Sequence, residues 1–138
     1  MRVLAICLVG AVLGTRTSQA QTVCRSSDAE TTNMIRYMKV LAGATLPADS
    51  ESVGVRMAYQ IPAATPAQVT LVTTEKICKS ALAAFKAAVP NQSPAPTRIY
   101  VVAVGSAYVV WNPYKYETSE WTTHVIFNSH FQVLSMFG

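Results

Sequence analysis

The sequence predicts an α+β fold in two layers, with two main helices packed on a four- or five-stranded, mainly antiparallel meander sheet. Two observations support this prediction. From Arg98 to Gly138, runs of β-branched and aromatic residues are separated by turn residues, which is typical of antiparallel strands. Upstream, two segments repeat apolar residues at helical spacing, and we expect both helices to cover one face of the sheet.

The first helix is predicted over residues 28–42, and Ser27 and Glu30 have the spacing of a capping box at its start. Its apolar residues recur at i, i+3, i+4 and i+7, namely Met34, Tyr37, Met38 and Leu41. The second helix is predicted over residues 75–89, with Cys78 on its inward face. Both segments therefore have one apolar face to bury.

Residues 50–60 are compatible with a helix or a strand. Apolar residues alternate from Val53 to Ile61, which favours a strand. Asp49 and Ser50 are typical of a helix start, and Pro62 would end either element. We favour a short helix.

The strands of the meander are predicted at residues 69–72, 98–104, 107–112, 121–127 and 130–136. Gly105-Ser106 and Asn128-Ser129 have the composition of two-residue hairpin turns. Both faces of the last hairpin carry apolar residues, which is unusual for a sheet with one solvated face. We expect the aromatic segment at residues 111–121, the 46–65 segment or another molecule to cover the second face.

The two histidines are the first candidates for catalysis or metal binding. A two-residue turn at Asn128-Ser129 would pair Phe127 with His130 and His124 with Val133. Since neighbouring strand residues alternate between faces, His124 and His130 would lie on opposite faces and could not share one ion.

The first twenty residues have the pattern of a secretory signal peptide. Arg2 supplies a positive charge, residues 3–13 are almost entirely apolar, and Ser18 and Ala20 place small residues at the −3 and −1 positions of a cleavage site. We predict that residues 1–20 are cleaved, with an uncleaved anchor as the alternative.

The remaining residues, 21–138, are predicted to form a single domain, secreted or periplasmic. They contain two cysteines, Cys24 and Cys78, and an even pair in an oxidising compartment is usually a disulfide. Two thiols are one alternative. Lipidation of Cys24 is another, which Val23 disfavours because a lipidation signal needs a small residue there.

The charge of the predicted mature chain limits its partners. Without Arg2 and Arg16, nine basic and seven acidic residues remain, a net charge of +2. This excess is too weak to indicate a nucleic-acid partner. We also expect no transmembrane segment once the signal peptide is removed.

Three segments carry a resemblance: V-T-L-V-T-T-E-K-I-C-K-S-A from Val69, Y-V-V-W-N-P from Tyr108, and E-W-T-T-H-V-I-F from Glu120. Together they resemble a group of small secreted bacterial proteins of uncharacterised function, over residues 24–134. The resemblance implies a bacterial envelope or extracellular location. It carries no activity, cofactor or catalytic residue.

The chain has no motif of the common enzyme classes. It lacks a nucleophile elbow, a glycine-rich phosphate loop and a cysteine-histidine metal spacing. Glu117 and Glu120 lie close together in sequence without a third partner. We therefore predict no cofactor and no metal, and lean towards a function other than catalysis.

Four aromatic residues lie within eleven positions: Trp111, Tyr114, Tyr116 and Trp121. Such side chains are enriched where proteins bind partners. The leading hypothesis is a secreted binding module that uses residues 111–121 and the adjoining sheet edge for a protein, peptide or small ligand. The alternatives are a small envelope enzyme or pocketed small-molecule-binding domain, favoured by a pocket holding a histidine beside a carboxylate, and a structural or accessory envelope protein.

Overall fold

The computed structural model describes residues 23–43, 50–92, 94–112 and 122–138. Its helices are α1 (Ala29–Leu41), α2 (Ser50–Ala58), a 3₁₀ helix (Pro66–Gln68) and α3 (Glu75–Ala88), and its strands are β1 (Val69–Leu71), β2 (Tyr100–Val104), β3 (Ala107–Trp111), β4 (His124–Phe127) and β5 (Val133–Phe137). The strands form one antiparallel sheet in sequence order. The α+β meander and the short helix favoured for residues 50–60 are confirmed. The predicted signal peptide lies outside the described residues.

The two main helices pack on opposite faces of the sheet, so the prediction that both cover one face is wrong. Tyr100 and Val102 of β2 face α1 and pack with its Met38. Val101, between them, faces α3 and packs with Phe85. Since β2 and β3 are apolar at consecutive positions, both of their faces need cover.

The same arrangement explains the second apolar face of the last hairpin. Val125 and Phe127 of β4 are buried in the cluster that contains Phe85 of α3. Ile126 is buried in the cluster on the α1 side. Of the covers that we expected, the 46–65 segment contributes on the α1 side, where Tyr59 packs on Phe137 of β5, and α3 covers the other side.

A disulfide joins Cys24 to Cys78, as predicted, with the two Cα atoms 5.5 Å apart. Cys24 also lies in a short parallel bridge to Ile99, in which the N–H of Arg25 donates to the Ile99 carbonyl at 2.8 Å. Cys24 packs on the α3 side, whereas α1 packs on the other side. The chain must therefore pass around the end of the sheet between Cys24 and Asp28.

The two hairpins differ in their turns. Gly105-Ser106 is a two-residue turn as predicted, with Val104 paired to Ala107 and Gly105 at a φ of 59°. The predicted two-residue turn at Asn128-Ser129 is wrong, since Phe127 pairs with Val133. Residues 128–132 form a longer loop that ends in a bulge.

The Asn128 side chain stabilises this longer loop. Its Oδ1 accepts the N–H groups of His130 at 2.9 Å and of Gln132 at 3.0 Å. Phe131 adopts a φ of 59°, and its ring stacks on Tyr108 with the centroids 5.0 Å apart. Asn128 thus accepts hydrogen bonds from the backbone two and four residues further along the chain, which stabilises a loop that contains no glycine.

The longer loop changes the register of the histidines. His124 pairs with Phe137, not with Val133. His130 lies in the loop, exposed and outside any strand. The predicted pairing of Phe127 with His130 is therefore wrong.

Candidate functional site

Each of four neighbouring strands contributes one ring to a row at one end of the sheet, on the α1 face. The register pairs Tyr100 with Trp111, Trp111 with His124, and His124 with Phe137. Their ring centroids lie 5.0, 5.2 and 4.7 Å apart in that order, and Tyr59 extends the row at 5.1 Å from Phe137. Cross-strand aromatic pairs of this kind stabilise a sheet locally. We call these five residues the aromatic row.

The first turn of α1 lies against this row. Asp28 is the N-cap: its Oδ1 accepts the N–H of Thr31 at 3.0 Å, and Thr31 Oγ1 accepts the N–H of Asp28 at 2.9 Å. The predicted cap at Ser27 is wrong by one residue. Because Thr31 completes the capping box, Glu30 has no capping role and can interact elsewhere.

Glu30 instead pairs with the aromatic row. Trp111 is fully buried, and its Nε1–H donates to Glu30 Oε2 at 2.6 Å. A buried indole N–H needs an acceptor, which the carboxylate supplies. The Tyr100 hydroxyl likewise donates to Asp28 Oδ2. These two bonds fasten the start of α1 to the sheet.

The Tyr100–Asp28 pair has a defined charge state at neutral pH. Burial, followed by the hydrogen bond to Asp28 and the charge of its carboxylate, raises the pKa of Tyr100 to about 12. The hydrogen bond from Tyr100, and then that from Thr31, lowers the pKa of Asp28 below its ordinary value. The guanidinium of Arg25 lies 5.4 Å from the Tyr100 ring centroid. The phenol therefore stays neutral while the carboxyl group is ionised.

A groove runs between α1 and the start of β4. It has a volume of about 390 Å³ and is lined by Glu30, Asn33, Met34, Tyr37, Thr122 and His124. We call it the α1–β4 groove. Ligand sites in proteins begin at roughly 300 Å³, so a small ligand or a single side chain of a partner would fit.

His124 forms the sheet side of this groove. Its Nδ1 atom is buried and has no hydrogen-bond partner among the residues that the structure describes. Burial lowers the pKa of His124 to about 4, and the nearby backbone carbonyls of Thr122 and Phe137 oppose this shift without meeting hydrogen-bond geometry at Nδ1. The imidazole is therefore neutral at pH 7 and carries an unsatisfied polar atom.

The candidate binding surface predicted from the sequence is only partly described. Trp111 is fully buried and so does not present an exposed ring. Tyr114, Tyr116 and Trp121 lie outside the described residues, as do Glu117 and Glu120. Within the described part of the chain, no three His, Cys, Asp or Glu side chains could together hold a metal ion.

Sequence reasoning did not select the helix side of the groove. Glu30, Asn33, Met34 and Tyr37 are spaced i, i+3, i+4 and i+7, which is one face of α1. The spacing is visible in the sequence, but there it predicts that Met34 and Tyr37 lie in the core and that Glu30 caps the helix. The lone carboxylate at the top of an apolar face was the signal that could have identified this surface.

Comparison with protein-family models, known proteins and solved structures finds no match to this chain.

In the ranges that the structure describes, no helix is long and apolar enough to cross a membrane.

Proposed function

We propose that this protein is a non-enzymatic extracytoplasmic binding module that takes its ligand in the α1–β4 groove. One observation carries the proposal: a groove of about 390 Å³ is lined by the exposed residue Glu30 on its helix side and by His124 on its sheet side. The Nε1–H of Trp111 holds the Glu30 carboxylate at 2.6 Å, so a ligand would meet a charged group whose direction is already fixed.

Binding is favoured over proton-transfer catalysis. A histidine beside a carboxylate at a groove is the arrangement that would favour a small enzyme or a pocketed domain. Efficient general acid–base catalysis needs a pKa near the working pH, whereas that of His124 is about 4. Glu30 Oε2 is also occupied by the indole N–H of Trp111. Between a small enzyme and a pocketed binding domain, these features support the binding domain.

A location outside the cytoplasm is part of the proposal. The buried Cys24–Cys78 disulfide is suited to an oxidising compartment. The predicted signal peptide at residues 1–20 and the resemblance to small secreted bacterial proteins support the same location. Mass spectrometry of the secreted or periplasmic protein, which should begin at Gln21, tests this part.

The groove is tested by a fragment screen monitored by two-dimensional NMR of the ¹⁵N-labelled chain 21–138. Fragments that bind should shift the backbone amides of Met34, Tyr37 and Thr122, which line the groove. Tyr37→Ala removes a half-exposed ring from the groove wall, so it should weaken these fragments about tenfold, as expected for the loss of roughly 1.4 kcal/mol of apolar contact. Met57→Ala, which shortens an exposed side chain on α2 outside the groove lining, is the control and should leave binding unchanged.

Two results would reject the groove. One is a set of fragments whose shifts map to α3 or to the β5 edge and avoid α1. The other is equal affinity of Tyr37→Ala and the wild type for fragments that do map to α1.

The aromatic segment stays a separate hypothesis with its own test. If Tyr114, Tyr116 and Trp121 contribute to binding, their combined replacement by alanine should weaken the same fragments or a captured partner. Unchanged binding in that triple variant would remove these residues from the site.

A further inference from the structure

The described part of the groove lining contains one charged side chain, that of Glu30. The Trp111 N–H holds its Oε2 at 2.6 Å, which fixes the direction of the carboxylate. Its other oxygen, Oε1, receives no hydrogen bond from the described residues and remains an acceptor for a ligand. A carboxylate that is oriented by a buried group retains less freedom than an ordinary surface glutamate, so it loses less entropy on binding.

Positive charges lie near the groove but do not line it. Arg36 is at the rim, where its Nη1 donates to Asn33 Oδ1 at 3.1 Å. Arg25 lies over the ring of Tyr100. The ionised Asp28 carboxylate, two residues before Glu30, adds a second negative charge in the first turn of α1. The charged side chain that lines the described part of the groove is therefore a carboxylate.

The rest of the lining suits an apolar body. Met34 and Tyr37 provide the helix wall, and Tyr37 is 45% exposed. An aromatic face attracts an adjacent cation. The His124 ring, stacked on Phe137 at 4.7 Å, forms the opposite wall and is uncharged at neutral pH, so it does not repel a cation.

We infer that the α1–β4 groove binds a small organic cation, with an ammonium group at Glu30 and an apolar or aromatic body between Tyr37 and His124. This inference rests on the proposed function and names the ligand class of the same site. An ammonium group carries three N–H donors and no acceptor. It can therefore donate to Glu30 Oε1 without leaving an acceptor of its own unpaired.

Three probes of similar shape and different charge test the inference: 2-phenylethylamine as the cation, 2-phenylethanol as the neutral analogue, and phenylacetate as the anion. Each is titrated into the ¹⁵N-labelled chain 21–138 at pH 7. We expect the amine to bind about tenfold more tightly than the alcohol, because a charge-assisted hydrogen bond is roughly twice as strong as a neutral one. Phenylacetate should give no saturable shift at the groove.

Glu30→Gln separates the charge from the fold. The glutamine oxygen can still accept the Trp111 N–H, so the row stays intact, but the negative charge is lost. The amine should then bind no more tightly than the alcohol, whose affinity should stay at its wild-type value. Glu75→Gln, on α3 beyond the opposite face of the sheet, is the matched control and should preserve the tenfold preference.

The outcomes are distinguishable. Equal affinities of amine and alcohol at the groove would overturn the cation inference while leaving the proposed function intact. Tighter binding of phenylacetate would also overturn it and would assign the charge recognition to Arg36. If none of the three shifts the groove amides while the fragment screen identifies ligands there, this inference fails alone. If that screen is negative as well, the proposed function fails with it.

Discussion

The buried imidazole of His124 should make the protein less stable in mild acid. In the folded protein its pKa is about 4, whereas an unperturbed histidine has a pKa of about 6.5. Between these values the unfolded chain takes up a proton that the folded chain does not. The free energy of unfolding therefore decreases as the pH falls, by about 2 kcal/mol at pH 5 and about 3 kcal/mol at pH 4 relative to pH 7 and above.

The measurement is urea denaturation followed by tryptophan fluorescence at pH 7, 6 and 5. His124→Phe removes the titrating nitrogen and keeps an aromatic ring between Trp111 and Phe137. This variant should lack about 2 kcal/mol of the decrease between pH 7 and pH 5. The carboxyl groups complicate the result only at lower pH, where Asp28, whose pKa is lowered, begins to lose its charge.

The chain offers its own control, because His130 is the second of its two histidines and lies exposed in the loop after β4. His130→Phe should retain the full pH dependence of the wild type. Equal pH dependence in the wild type and His124→Phe would refute the argument. A midpoint near 6.5 for the His124 ring in an NMR titration would refute it independently.

Three further predictions concern the contacts that position the groove. Replacing Cys24 and Cys78 together by serine should lower the free energy of unfolding by about 4 kcal/mol, since the disulfide closes a loop across a sequence separation of 54. The reduced wild type should match this variant in urea denaturation. A loss below about 1 kcal/mol would contradict the prediction. Tyr100→Phe should lower the free energy of unfolding by about 1–2 kcal/mol, because Oδ2 of Asp28 loses the hydroxyl that donates to it. Ultraviolet titration of the variant should lack the tyrosine that ionises at a pH of about 12 in the wild type. Asn128→Ala should lower the free energy of unfolding by about 1–2 kcal/mol, because the N–H groups of His130 and Gln132 lose their shared acceptor. Asn91→Ala, on an exposed turn, is the control, and its free energy of unfolding should stay within about 0.5 kcal/mol of the wild type in the same assay.

The two hairpins show where local sequence suffices and where it does not. Gly105 allows the positive φ of a two-residue turn, so that turn could be predicted from two residues. Asn128-Ser129 looks similar, but the Asn128 side chain bonds to His130 and Gln132 and stabilises a longer loop. The longer loop and the register shift between Ile126 and Phe127 together move the partner of His124 from Val133 to Phe137, which adds the Phe137 ring to the aromatic row.

The groove depended on a similar local choice. Glu30 suited a capping box with Ser27, but Asp28 and Thr31 form the box one residue later. Each pair can satisfy two backbone N–H groups at the start of the helix, and the spacing is the same in both, so sequence alone does not select between them. The buried N–H of Trp111, which is 81 residues distant from Glu30, takes the carboxylate as its acceptor and decides the outcome.

The sequence by itself determined the α+β class, the antiparallel meander and the pairing of Cys24 with Cys78, and it favoured the short helix at α2 without deciding against a strand. These features follow from periodicity, turn chemistry and cysteine pairing, which act over a few residues or depend on composition. Tertiary structure alone decided that α1 and α3 cover opposite faces and that Glu30 and His124 meet at one groove. Those outcomes depend on which distant groups must be buried or hydrogen-bonded together, and a local pattern contains no information about such partners.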